Sequence, residues 1–155
     1  MDVTQPGVRP QSVLFLCAHN IVRSPIAAAL ARHFFGGSLR IAEAGVRAGE
    51  PDPFVVAAME EVGIDLKHHK PMLLDELEDL EGLDFDLVVS LSPEAHHRAL
   101  ELTRARPVQV EYWAIPNPSA VWGNREQRLD AYRAVRDELL QRIRSRFGAA
   151  TASGG

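Results

Sequence analysis

Apolar positions along this chain follow two rhythms. Val13-Leu-Phe-Leu16 and Leu87-Val-Val-Ser-Leu91 are short, nearly unbroken apolar runs, the pattern of strands covered on both faces. Elsewhere, apolar residues recur at helical intervals: Ile26, Leu30 and Phe34 with alanines between; Val55, Val56, Ala58, Met59 and Val62; Leu129, Tyr132, Val135, Leu139 and Ile143. These are core-facing stripes of helices. Leu39 to Ala44 alternates like a strand with one face toward solvent and is closed by Gly45, and Val108 to Tyr112 makes a fourth strand after the break at Pro107. Helix boundaries are punctuated: Ser24-Pro25 and Ser92-Pro93 read as a capping hydroxyl followed by a proline that loses no bond there. Pro51-Asp-Pro53 opens a helix from about Phe54 to Val62 that Gly63 stops, an acidic amphipathic helix spans Leu73 to Leu83, one from Ser92-Pro93 runs to about Thr103, and a long one runs from Arg125 to Phe147.

Strands alternating with helices predict the α/β class: three layers, a four-stranded parallel sheet flanked by helices, right-handed crossovers, and a ligand site beyond the carboxyl ends of the strands. A single domain over residues 12–148 is expected, with residues 1–11 and 149–155 as flexible tails. Composition adds limits. The 155 residues are 46% apolar and 25% charged with net charge −4, ordinary for a globular protein and contrary to a nucleic-acid scaffold. No apolar run is long enough to span a membrane, and the first eleven residues lack a signal core, so a cytoplasmic location is expected. The single cysteine permits no internal disulfide and leaves one thiol free to react.

That thiol stands where the first strand turns into the first helix. Cys17-Ala-His-Asn-Ile-Val-Arg23-Ser24 is a tight turn between them, with Asn20 suited to a left-handed backbone. Backbone N–H groups, a helix N-terminus and the Arg23 guanidinium make a cradle for a dianion of phosphate size, formed by Ala18, His19, Asn20, Ile21, Val22 and Arg23. The field that holds phosphate also favours thiolate, and a Ser24 hydroxyl in reach of the sulfur assists it. Cys17 is thereby placed as a nucleophile for phosphoryl transfer through a phosphocysteine. The rival use of His68, His69, His96 and His97 as metal ligands fails, because neighbours in adjacent pairs diverge and no cysteine or acid stands at ligand spacing. No metal or other cofactor is expected.

On these residues the stretch resembles the low-molecular-weight protein tyrosine phosphatase family, which includes thiol-dependent arsenate reductases; the resemblance runs from about Val13 to Phe147. It implies that His69, six residues past the glycine of Gly63-Ile-Asp65, hydrogen-bonds Asn20 of the phosphate loop and supports it. It also implies a general acid from an Asp-Pro pair after the last strand, where this chain has Asn117-Pro118. Neutral amide cannot donate a full proton to a leaving phenolate or activate water against the phosphocysteine. Glu126 and Asp130 are the candidate substitute acids. Further departures are Ser119 and Ala120 where aromatics often flank a phosphotyrosine ring, His19 for a common glycine, and Val22 for a common second cysteine. Trp122 is the residue that could substitute for those aromatics but, like most tryptophans, is expected to be packed; the arginines of the last helix are read as a solvated face, with binding of an acidic partner as the alternative.

Three functions follow. The first is a slow cysteine phosphomonoesterase acting on a phosphorylated protein or small phosphomonoester, with Cys17, Arg23, Ser24 and Asn117 at the catalytic positions. The second is an arsenate reductase fed by an external thiol. The third is a non-catalytic binder of phosphate, other oxyanions or a phosphoprotein. Nucleic acid and membrane are not expected partners.

Overall fold

The computed structural model describes residues 9–148. Four parallel strands form its sheet: β1 (Ser12–Cys17), β2 (Arg40–Gly45), β3 (Leu87–Ser90) and β4 (Gln109–Tyr112), in the order β2-β1-β3-β4. The central pair, β1 and β3, is buried at every position, as their unbroken apolar runs require. One face of the sheet is covered by α1 (Arg23–Phe35), α2 (Pro53–Glu60) and α5 (Arg125–Ile143), which pack Ile26, Leu30, Met59, Tyr132 and Leu139 around Phe15. The other face is covered by α3 (Leu74–Glu81) and α4 (Pro93–Leu102), with Leu77, Ala95 and Ala99 against Leu14, Leu16 and Val88. This is the three-layer α/β arrangement that the alternating pattern predicts.

The chain leaves β1 for β2 on one side of it and later returns to β3 on the other. The loops after β1 and β3 therefore separate at their carboxyl ends and leave a crevice, the usual ligand position in such sheets. Cys17 is the last residue of β1 and lies opposite Gly45 of β2. A side chain at Gly45 would meet the backbone of His19 and Asn20, so the glycine is what lets the turn after Cys17 lie against β2. The loop beyond Gly45 joins in: Val46 and Arg47 donate their N–H groups to the carbonyls of Cys17 and Ala18 at 3.2 and 2.7 Å.

Several expectations are corrected. Phe34 is not part of the α1 stripe but is exposed, with Phe35 packed against the core in its place, and Val62 lies exposed in the turn beyond the end of α2. Residues 9–11 are not a loose arm: Pro10 is buried, Gln11 donates to the Asp86 carboxylate at 2.8 Å, and its carbonyl receives the Arg40 N–H at 2.9 Å. The remaining tail residues, 1–8 and 149–155, lie outside the described residues. α5 ends at Ile143 and continues as one wider turn, Arg144–Gly148, which seats Phe147 against Phe15 and Phe35.

Candidate active site

The turn between β1 and α1 is fastened from its centre. Asn20 is the one non-glycine residue with positive φ (56°) among the described residues, the left-handed backbone that asparagine tolerates better than most. It is fully buried, and every polar atom of its side chain is used. Its carbonyl accepts the Met72 N–H at 2.9 Å, which fixes the amide's orientation, and its Nδ2 donates to Ser24 Oγ at 2.8 Å and to Glu43 Oε1 at 3.0 Å. Its backbone N–H points at Cys17 Sγ, 3.2 Å away.

Ser24 is thereby committed as well. The sequence marks it as the cap of α1, but the helix begins one residue before it, with Val22 in the cap position and no side-chain cap bond. Its hydroxyl instead sits 2.8 Å from Cys17 Sγ. Ser24 Oγ accepts from Asn20 and keeps its hydrogen, so it can accept from a Cys17 thiol and donates to a thiolate. A Cys17 thiolate thus has two donors within reach, the Asn20 amide N–H and the Ser24 hydroxyl. The first N–H groups of α1 have no acceptor within the helix, so its positive end faces the same spot.

Glu43 is the residue the sequence reading missed. Strand alternation puts it on a face taken for solvent-exposed, yet its carboxylate is enclosed between α1 and the turn, with a side-chain exposure of 10%. His69 was expected to hold Asn20 directly; it bonds Glu43 Oε1 at 2.7 Å, and Glu43 carries the contact on to Asn20. Arg32 Nη1 completes the group on Oε2 at 2.8 Å. Burial alone would raise the Glu43 pKa, but the His69 hydrogen bond, the charges of His69 and Arg32 and the Asn20 amide outweigh it and hold the carboxyl below its ordinary 4.5. A glutamate in a strand whose other face is core, followed by a histidine pair, was the available signal. A folded pKa below the unfolded one means stability that is complete above about pH 4.5 and lost as pH falls through the folded value. Glu43→Gln leaves Arg32 and His69 without their anion, and should destabilise the fold by about 3 kcal/mol at neutral pH, less if half-exposed Arg32 finds water. Denaturant unfolding from pH 7 to pH 3 checks both features: lower stability at neutral pH and a shallower acid limb in the variant.

Beyond the sulfur lies a small cavity of about 40 Å³ lined by Cys17, His19, Ile21, Val22, Arg23, Asn117 and Ser119. It brings together residues from the turn and from the segment after β4, about a hundred positions apart in sequence. Ala18 and Asn20 are not among its lining residues, although the sequence reading assigns them to phosphate. Arg23 Nη1 is braced against the carbonyls of Ile115 and Leu91 at 3.1 and 3.4 Å, which ties the guanidinium to the ends of both neighbouring segments, and it has no carboxylate partner among the described residues. Gly49 closes the far side: a side chain there would strike His19 and Ile21.

Asn117 does reach this site. Its Oδ1 accepts from the Ser119 N–H at 3.1 Å and from its hydroxyl at 2.7 Å, capping a short turn, Pro118–Ala120. The substitute acids do not reach it. Glu126 and Asp130 are both held by Arg133, each at 2.6 Å, on the exposed side of α5. His68 and His97 are exposed, and His96 Nδ1 pairs with Ser90 Oγ at 2.8 Å. Trp122 is not packed but 93% exposed.

A cysteine at the carboxyl end of a central parallel strand is thus enclosed by a turn of amides and an arginine at the head of the next helix. A family model described as low molecular weight phosphotyrosine protein phosphatase matches residues 12–151, and the chain belongs to that family. An arsenate reductase from Shouchella clausii is 33% identical over 136 residues, 85% of this chain and 91% of the relative. Among solved structures, a tyrosine phosphatase from Erwinia amylovora superposes with a TM-score of 0.71 at 22% identity, covering 94% of this chain and 96% of that one. A YwlE mutant from Bacillus subtilis gives 0.69 at 25%, covering 94% and 99%. The family thus includes both phosphatases and arsenate reductases. No described helix is long and apolar enough to cross a membrane.

Proposed function

We propose that this protein is a cysteine-dependent phosphomonoesterase of attenuated rate, acting in the cytoplasm on phosphorylated protein or small phosphomonoesters without a metal or other cofactor, with residues 12–148 as one catalytic unit. The observation that carries it is the pair of donors on Cys17 Sγ, the Asn20 amide and the Ser24 hydroxyl, at the mouth of an arginine-lined cavity. Thiolate attacks phosphorus, the P–O bond to the leaving group breaks, and the phosphoryl group rests on sulfur, held by the loop amides and Arg23. Water then attacks phosphorus, sulfur leaves as thiolate, and phosphate is released. Each half needs a proton moved, onto the leaving oxygen in the first and off water in the second, and Asn117 stands where that acid and base belong. Asn20 and His69, through Glu43, position the loop.

Alkylation tests the nucleophile. At neutral pH iodoacetamide should modify Cys17 rapidly, and inorganic phosphate or arsenate should protect it. Slow alkylation that neither anion alters would remove the phosphate-loop reading.

A second reading is favoured by the curated relatives, since Shouchella clausii and Bacillus subtilis proteins at 33% and 31% identity are arsenate reductases. Reducing arsenate to arsenite takes two electrons, hence two thiols, and this chain has one cysteine. Cys17 would form the arsenic–sulfur bond and a small external thiol such as glutathione would break it, releasing arsenite and leaving a mixed disulfide that a second external thiol reduces. A non-catalytic oxyanion or phosphoprotein binder is what remains if neither assay turns over. Parallel assays, para-nitrophenyl phosphate hydrolysis against arsenite formation with glutathione, separate the three.

A further inference from the structure

Beside the Cys17 cavity, and sharing Ser119 with it, lies a second, wider cleft of about 340 Å³ lined by Ser119, Ala120, Val121, Trp122, Gly123 and Arg128. We infer that it takes the acidic segment next to the phosphorylated residue of a protein substrate, with Arg125 and Arg128 reading the carboxylates and Trp122 packing on the chain between them. The inference rests on the phosphomonoesterase reading of the Cys17 site.

The charges of α5 are unevenly distributed. Arg133, Arg136 and Arg142 along α5, and Arg146 in the turn beyond it, each have a carboxylate partner at 3.1 Å or less, whereas Arg144 at its C-terminus lies over the Phe34 ring with none among the described residues. Arg125 and Arg128, in the first turn, likewise have none among the described residues, and Arg128 lines the cleft. Their guanidinium carbons lie over the ring of Phe54 at 5.6 and 4.6 Å from its centroid, and Phe54 is itself stacked on Tyr132 at 5.2 Å. Resting on an aromatic face holds a cation in place without neutralising it. Of the nearby acids, Glu126 and Asp130 turn to Arg133, while Asp52 accepts from the Tyr132 hydroxyl and the Phe54 N–H and keeps its charge. Two guanidinium groups without a carboxylate partner among the described residues are left at this end of the helix.

Trp122 supplies the apolar element. A side chain of this size left 93% exposed forgoes the burial that ordinarily holds tryptophan inside, and exposed aromatics beside unpaired arginines are the composition of protein-binding hot spots. The chain on either side of it is anchored: Val121 donates its N–H to the Pro118 carbonyl at 3.2 Å, and beyond Gly123 the Asn124 side chain accepts from the Gln127 N–H while the Gln127 side chain accepts from the Asn124 N–H, both at 2.9 Å. A ring on a fixed stalk loses little freedom when a partner covers it. The charge complement selects a peptide with aspartate or glutamate beside the phosphorylated residue, and the shared wall at Ser119 places that segment adjacent to the phosphoryl group.

The test uses the full chain and two phosphotyrosyl peptides, one with flanking Asp and Glu and one with Asn and Gln in their place. Wild-type protein should show a KM roughly three- to tenfold lower for the acidic peptide, a preference that fades as salt is raised. In Arg125→Gln/Arg128→Gln the two peptides should become equal, and Trp122→Ala should raise KM for both, while para-nitrophenyl phosphate kinetics stay as in wild type. Equal KM values for both peptides in the wild type, or a preference that survives the double substitution, overturn the inference. Titration of the same peptides into Cys17→Ser, followed by tryptophan fluorescence, reads the subsite without turnover. An acidic preference there with no hydrolysis by wild type means that the catalytic reading alone has failed. Displacement by a single-stranded oligonucleotide as strong as that by the acidic peptide marks a general polyanion patch and overturns the assignment.

Discussion

Cys17→Ser should abolish hydrolysis of para-nitrophenyl phosphate, lowering kcat by a factor on the order of 10⁶, the scale seen when a covalent nucleophile is removed from an otherwise intact site. The size of the effect follows from the arrangement around the sulfur. Amide and hydroxyl converge on Sγ, and a sulfur nucleophile held there is intrinsically far more reactive toward phosphorus than an alcohol oxygen in its place. The substitution is also mild for the fold. Cys17 is 2% exposed at the end of a strand, and the Asn20–Glu43–Ser24 bonds that shape the turn do not depend on it. A folded variant, checked by unchanged denaturant unfolding, with phosphate binding retained and turnover gone, is the expected result. Activity within tenfold of wild type would place the chemistry elsewhere.

Asn117→Asp should act in the opposite direction, raising kcat by about 10²-fold or more for substrates with basic leaving groups, since a positioned acid contributes about 10²–10⁴-fold. Asn117 lines the cavity with Cys17, and its Oδ1 is an acceptor from Ser119. An aspartate accepts the same two bonds, so the loop keeps its shape while gaining a proton donor. The gain must depend on the leaving group. Para-nitrophenolate departs with little help, so its rate should rise least; phenyl phosphate, whose phenolate needs a proton, should gain most. The wild-type rate should fall steeply as the leaving group becomes more basic, and the variant's slope should be flatter. With good leaving groups wild type should show a burst, because water attack on the phosphocysteine also lacks its base. Equal slopes in the two proteins would mean that the protonation steps do not run through position 117.

These expectations draw on features of unequal visibility in the sequence. The sheet was legible because β1 and β3 are buried on both faces and so must be apolar throughout, and the Cys17 turn was legible because it joins such a strand to a helix. Ser24-Pro25 and Ser92-Pro93 read identically, yet only Ser92 caps its helix, accepting the Ala95 N–H at 3.2 Å; the Ser24 hydroxyl is taken by Cys17 and Asn20. Local propensity names what a hydroxyl can bond, and tertiary neighbours decide which bond it makes. Glu43 was missed for a related reason. Alternation along β2 separates one face from the other but does not tell water from a polar interior, and only the approach of Arg32, His69 and Asn20 makes that second face a buried charge cluster. Trp122 inverts the general preference of tryptophan for the core, and a departure of that kind is expected where a surface serves a partner instead of stability.

The phosphocysteine itself is the most direct test. Protein mixed with para-nitrophenyl phosphate, quenched in acid within the burst and analysed by intact-mass and peptide mass spectrometry, should carry one added phosphoryl group, on the peptide containing Cys17. The adduct should form before steady state, decay once substrate is exhausted, and be absent from Cys17→Ser. Para-nitrophenolate released with no phosphoryl group on Cys17 at any time during the burst would contradict covalent catalysis at this residue.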